Sequence, residues 1–208
     1  MMKNKIVDGL NELFSVPRCE LEYSSVFELL IAVILSAQCT DKRVNHVTKI
    51  LFEQYNTPAD FVKISSEELE TLIHSCGFFR AKAKAIKEAS KDIVERFGGE
   101  VPSSFEDLCS LRGVGRKTAN VMISEGFKGD AFAVDTHVLR VSNRLGIVKT
   151  NNPDKCELFL KDYFDKKDWS RLHYQMVLFG RYHCTAKKPQ CGECRFRDVC
   201  EYAKMHTC

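Results

Sequence analysis

Helix punctuation dominates this chain, and the two-residue alternation of strands is nearly absent. Thr57-Pro58 sets a capping hydroxyl ahead of a first-turn proline, and Ser65-x-x-Glu68 is a capping box leading into Leu69, Leu72 and Ile73. Gly77 then stops that helix. Ser103-x-x-Glu106 repeats the box after Pro102, and Asn152-Pro153 opens a helix expected to turn Leu158, Phe159 and Tyr163 inward. Val44, Val47, Leu51 and Tyr55 keep helical spacing, as do Ile86, Ala89, Ile93 and Phe97. Only Ala131 to Val134 leans toward strand, and the run is too short to build a sheet. The expected class is all-α, with about ten helices joined by short loops. The stretch Gly126 to Asp130 predicts a break between a central helical body and a C-terminal portion.

With 208 residues the chain can bury a real core, in one large domain or two small ones. Its net charge of +3 is slight, so any nucleic-acid surface must be local. The most apolar run, Val26 to Ala37, is shorter than the roughly 20 residues that span a bilayer and carries Glu28. It reads as a buried central helix. The first residues place Ile6, Leu10, Leu13 and Phe14 on one helical face and lack the continuous apolar core of a signal peptide. The expected compartment is therefore the cytoplasm, with no membrane partner. There, ten cysteines are not expected to pair as disulfides. Cys19, Cys39, Cys76, Cys109 and Cys156 are scattered among apolar neighbours and read as small buried thiols.

The segment Ser104 to Phe127, centred on Leu111-Arg-Gly-Val-Gly-Arg-Lys-Thr-Ala-Asn-Val121, reads as helix, tight turn, helix. Gly113 and Gly115 are expected to supply positive φ and let the backbone approach a partner closely. The amides of the turn and of the following helix start suit phosphate. Two nucleotide-loop patterns fail, because Gly115 is followed by Arg116 and because Thr118 occupies the last place of G-x-G-x-x-[GA]. Lys117 sits in the first turn of the second helix, where the positive dipole end opposes its charge. A solvated lysine there would only meet phosphate. A partly buried one, beside like charges, would give up its proton and become a nucleophilic amine. Asp135 follows an apolar run, and an aspartate there is a good N-cap, a role compatible with that of a fixed catalytic carboxylate. His137 reads as a packing residue.

Near the C-terminus, Cys184, Cys191, Cys194 and Cys200 are spaced C-x6-C-x2-C-x5-C. Four thiolates in one loop suit zinc or a cubane iron–sulfur cluster. Structural zinc more often uses two C-x-x-C pairs, and the single pair here favours iron–sulfur. Lys187 and Lys188 add a candidate phosphate contact, and Cys208 fits no ligand pattern.

Taken in order, Phe27 to Gln38, Leu111 to Val121, Val134 to Gly146 and Gly180 to Tyr202 resemble the endonuclease III family of the helix-hairpin-helix superfamily, over nearly the whole chain. The resemblance implies a six-helix barrel over residues 19–129 carrying the hairpin, and a second domain from residues 1–18 and 130–208. It implies a [4Fe-4S] cluster on the four cysteines and double-stranded DNA, with damaged pyrimidines or abasic sites, across the cleft between the domains, bound by a monomer. By the same correspondence Lys117 is the nucleophile and Asp135 the essential carboxylate. Arg112, Gly113, Val114, Gly115 and Arg116 form the DNA-binding hairpin, and Gln38 fills the gap left by a flipped base. The chain departs from the family at Arg112, where proline is usual, at Phe78, where a leucine wedge is usual, and at Cys39, an oxidation-sensitive replacement of a smaller or hydroxylated residue. An adenine-mismatch glycosylase shares the hairpin, aspartate and cluster but lacks the lysine. A non-catalytic DNA-binding module with structural zinc is the rival from another class.

Overall fold

A computed structural model describes residues 2–206. It contains α-helices and short 3-10 and π turns, with no strand among the described residues. Twelve α-helices occur there, because α4 (Pro58–Lys63), α7 (Phe105–Ser110), α8 (Arg116–Val121) and α12 (Glu201–Met205) are too brief for a 3.6-residue period to show. The chain divides into two compact units, Cys19–Lys128 and Met1–Arg18 with Gly129–Cys208.

The first unit is built on α2 (Val26–Ser36), whose residues from Phe27 to Leu35 are all buried. Ser25 caps it by accepting from the Glu28 N–H at 3.1 Å, and buried Glu28 accepts from the Ser24 N–H at 2.5 Å. A carboxylate can lie in so apolar a helix because it closes the helix's own N-terminus. Around α2 pack α3 (Asp41–Gln54), α6 (Phe79–Arg96) and α8, while α4 and α5 (Ser66–Ile73) pack on α6. At α5, Ser65 accepts from Glu68 N–H, but the Glu68 side chain accepts from Tyr55 Oη at 2.6 Å instead of completing the expected box. The reciprocal box forms one helix earlier, between Thr57 and Asp60. The cap of α7 is Ser104, paired with Asp107, one residue beyond the expected Ser103. Both registers satisfy the serine-acid spacing, so pattern alone could not choose.

The second unit gathers Ile6 and Leu10 of α1 (Met2–Leu13) with residues of α9 (Thr136–Leu145), α10 (Pro153–Tyr163) and α11 (Trp169–Tyr182). Ala131 to Val134 is buried but pairs with no strand. Its backbone groups are met from α11: Ser170 Oγ lies 3.3 Å from Ala131 N, and His173 Nδ1 lies 2.8 Å from Ala133 O. Burial thus made the segment strand-like in composition while side chains supply its hydrogen bonds. The expected inward face of α10 is wrong for two residues. Leu158 and Phe159 are 63% and 57% exposed, and Cys156, Glu157 and Leu160 are buried instead. Glu157 counts as a polar position in the sequence, yet it pairs with Lys161 at 2.7 Å, so the burial stripe is rotated from the most apolar one.

Candidate functional site

The hairpin is closed by a hydrogen bond from Val114 N–H to the Leu111 carbonyl, at 3.1 Å. Leu111 and Val114 are buried, anchoring the turn through its two ends. Gly113 holds φ 80° at the third turn position, and a Cβ there would stand 2.7 Å from the Ala85 Cβ of α6. Conformation and space both require glycine. The expectation for Gly115 fails: its φ is −93°, extended backbone open to any residue, and nothing lies within 4 Å of its would-be Cβ. Gly115 is instead the N-cap of α8, with no side chain capping the helix start. Of the hairpin candidates, Arg112, Gly113, Gly115 and Arg116 are exposed, whereas the Val114 side chain is packed inward. Arg112 forms an ion pair with Glu88 at 3.4 Å, and the Arg116 guanidinium lies 4.9 Å from the Phe105 ring centroid.

Lys117 is exposed in the first turn of α8, the solvated one of the two placements its position allowed. Any desolvation of its amine must then come from a bound partner. Gln38 and Phe78 are also exposed, and both hold left-handed backbone, with φ 54° and 48°. Lys128 is the remaining non-glycine residue of this kind among the described residues. Such conformations cost on the order of 1–3 kcal/mol and cluster where loops are held for a purpose. Phe78 is 68% exposed, an unusual place for a phenyl ring.

In the other unit, Asp135 caps α9, its Oδ1 accepting from the N–H groups of His137 and Val138 at 2.8 Å each. The second oxygen takes no part in that cap. Two arginines that sequence reading passed over lie on the same helix. Arg140 donates to the carbonyls of Cys184 and Gly180, at 3.0 and 2.8 Å. Arg144 donates to the carbonyls of Thr185 and Ala186, at 2.7 and 2.9 Å, and lies 3.4 Å from Cys184 Sγ. Their i, i+4 spacing was a visible signal, but it reads equally as a solvated face. Lys187 and Lys188 are exposed on the loop these arginines hold.

Cys184, Cys191, Cys194 and Cys200 all line one partly open pocket, with Arg144 and Tyr202 also in its wall. No three His, Cys, Asp or Glu side chains among the described residues converge as ligands of a single metal ion. Four cysteine thiols in one pocket wall are a donor set that an iron–sulfur cluster takes. Cys208 lies outside the described residues. Of the scattered cysteines, Cys76 and Cys156 are buried as expected, but Cys19, Cys39 and Cys109 are only half-buried.

A glycine hairpin delivering a lysine, joined in one chain to a four-thiol pocket, marks a helix-hairpin-helix DNA repair protein. The sequence pattern of the HhH-GPD superfamily of base excision DNA repair proteins matches residues 31–166, and that of the iron-sulfur binding domain of endonuclease III matches residues 184–200. Endonuclease III of Bacillus subtilis is 48% identical over 93% of this chain and 89% of its own length. That of Escherichia coli is 41% identical over 95% and 94%. A trapped endonuclease III–DNA covalent intermediate superimposes with a TM-score of 0.94 at 45% identity, over 99% of each chain. A thermostable thymine-DNA glycosylase, at 22% identity and a TM-score of 0.88, shares the fold. The chain belongs to the endonuclease III family. It is a bifunctional DNA N-glycosylase and abasic-site lyase, binds DNA and carries a [4Fe-4S] cluster. No helix among the described residues is long and apolar enough to cross a membrane.

Proposed function

We propose that this enzyme removes oxidised or otherwise damaged pyrimidines from double-stranded DNA and then cleaves 3′ to the abasic site, with Lys117 as nucleophile and Asp135 as its carboxylate partner. The damaged nucleotide is extruded from the duplex. Gln38 and Phe78 occupy the space it leaves, Phe78 as an apolar wedge. The Lys117 amine attacks C1′, the glycosidic bond breaks, and the base departs with a proton. Asp135 stabilises the positive charge developing on the sugar and accepts the proton that Lys117 sheds. The C1′–O4′ bond then opens, O4′ taking a proton, to leave a protonated Schiff base that acidifies the 2′ position, whose proton is lost as the 3′ phosphate leaves. Backbone amides of Gly113 to Arg116, with the side chains of Arg112, Arg116, Lys187 and Lys188, hold phosphates. Val114 contributes main chain alone, since its side chain is buried.

The observation that carries this reading is Lys117 itself, an exposed amine at the uncapped helix start just past the Gly113 turn. Residues 19–129 present the hairpin in this reading, and residues 1–18 with 130–208 carry the cluster. The cluster, when bound, supplies a rigid scaffold for the Cys184–Cys200 loop, and the reacting groups are the protein's own. The protein acts as a monomer in the cytoplasm. Borohydride added during reaction with thymine-glycol duplex should trap a covalent complex, and Lys117→Gln should abolish it. Undiminished trapping in that variant would overturn the role given to Lys117.

A further inference from the structure

One buried cation lies outside this chemistry. Lys82, in the first turn of α6, is 6% exposed. Its Nζ donates to the carbonyl of Leu35 at 2.9 Å and to that of Cys76 at 2.5 Å. Leu35 lies in the last turn of α2, and Cys76 ends the 3-10 turn His74–Cys76. Carbonyls at helix ends have no partner within their own helix and carry the negative end of the dipole. The ammonium answers both with one group. Burial pushes its pKa down, while the nearby sulfurs of Cys39 and Cys76 push it back up.

The two carbonyls stand at the roots of two exposed loops. Gln38 comes three residues after Leu35, and Phe78 two residues after Cys76. Both hold left-handed backbone with exposed side chains. Such conformations persist only where their surroundings fix them. Burying a charge is costly unless it is well paired, and an apolar residue at this place would pack without crossing between the loops.

We propose that Lys82 is a positioning residue that pins the Gln38 and Phe78 loops to each other, so that both enter the duplex in register when a nucleotide is extruded. This rests on Gln38 and Phe78 filling the space of the extruded nucleotide. Lys82 touches neither DNA nor the reacting atoms and acts through the backbone of the two loops.

The test compares full-length, cluster-loaded enzymes of equal helical content on two substrates: a duplex with one thymine glycol, and single-stranded DNA with one abasic site, which needs no gap filled. Lys82→Met should lower kcat/KM on the duplex by about 10- to 100-fold, the scale of a misplaced positioning group, and leave single-strand cleavage within about twofold. In a Gln38→Ala/Phe78→Ala background, adding Lys82→Met should cost less than about twofold, because the loops it serves are already disarmed. If Lys82→Met does not fold, Lys82→Gln carries the same comparison. Equal losses on both substrates, wild-type activity on the duplex, or a full loss persisting in the double-alanine background would overturn the proposal. The loop reading fails separately, if the double-alanine enzyme alone cleaves the damaged duplex like wild type.

Discussion

Gly113 shows how much one atom can decide. Alanine there would meet Ala85 at 2.7 Å with φ at 80°, so Gly113→Ala combines a clash with left-handed strain. We expect it to cost about 1–3 kcal/mol and to lower the thermal midpoint measurably. Gly115→Ala has neither penalty, and the poorer N-cap that alanine makes is set against the lower entropy of its unfolded chain, so it should shift the midpoint far less than Gly113→Ala. The two glycines look alike in sequence, and only the neighbour on α6 separates them. Cys76 makes a second residue-scale case. Burial, then its contact with Cys39, raises its thiol from 9.0 to about 11. The folded state therefore holds that proton more tightly than the unfolded chain does. The associated stability is intact below pH 9.0 and is lost as pH rises toward about 11. Lys82, lowered by burial, works in the opposite direction over the alkaline range. Chemical denaturation from roughly pH 8 to 11 should show wild type losing more stability than Cys76→Ala. Parallel pH curves would exclude this account of Cys76.

At the scale of the element, the N-terminus of α9 has an observed duty, the Asp135 cap, and a proposed catalytic one, and the two can be pulled apart. Asp135→Asn retains the oxygen that accepts from His137 and Val138, so the cap should survive, with stability changed by less than about 1 kcal/mol. Removing the charge should still reduce glycosylase turnover by about 100-fold or more. A variant that melts early and loses activity only in proportion would make Asp135 a cap and nothing else. Helix α10 offers the complementary measurement. Exposed Leu158→Glu should change stability by no more than about 0.5 kcal/mol, while buried Leu160→Ala should cost about 2–5 kcal/mol. Reading the helix by hydrophobicity alone would rank Leu158 with the core. The existence of α10 was legible from Asn152-Pro153 and from its spacing. Its rotation was not, because a Glu157–Lys161 pair lets a carboxylate take a buried place.

For the whole molecule, the cysteine loop links the cofactor to folding. Arg140 and Arg144 already hold the carbonyls of Cys184, Thr185 and Ala186, so part of the loop is fixed by protein alone. Removing iron should loosen residues 184–200 and weaken DNA binding, while residues 19–128 keep their helical circular dichroism. Intact DNA affinity after iron removal would deny the loop a part in binding. By itself, the sequence determined the helical class, the hairpin with its lysine, the cap at Asp135 and the C-x6-C-x2-C-x5-C cysteine pattern. Each of these is a local pattern, written in residue type and spacing and readable without neighbours. Tertiary structure decided the rest: which glycine is indispensable, which face of α10 is buried, that Arg144 serves the cysteine loop and that Lys82 joins two turns. Those facts depend on which segments pack together, and packing joins residues, such as Leu35 and Lys82, whose sequence separation leaves no periodic trace.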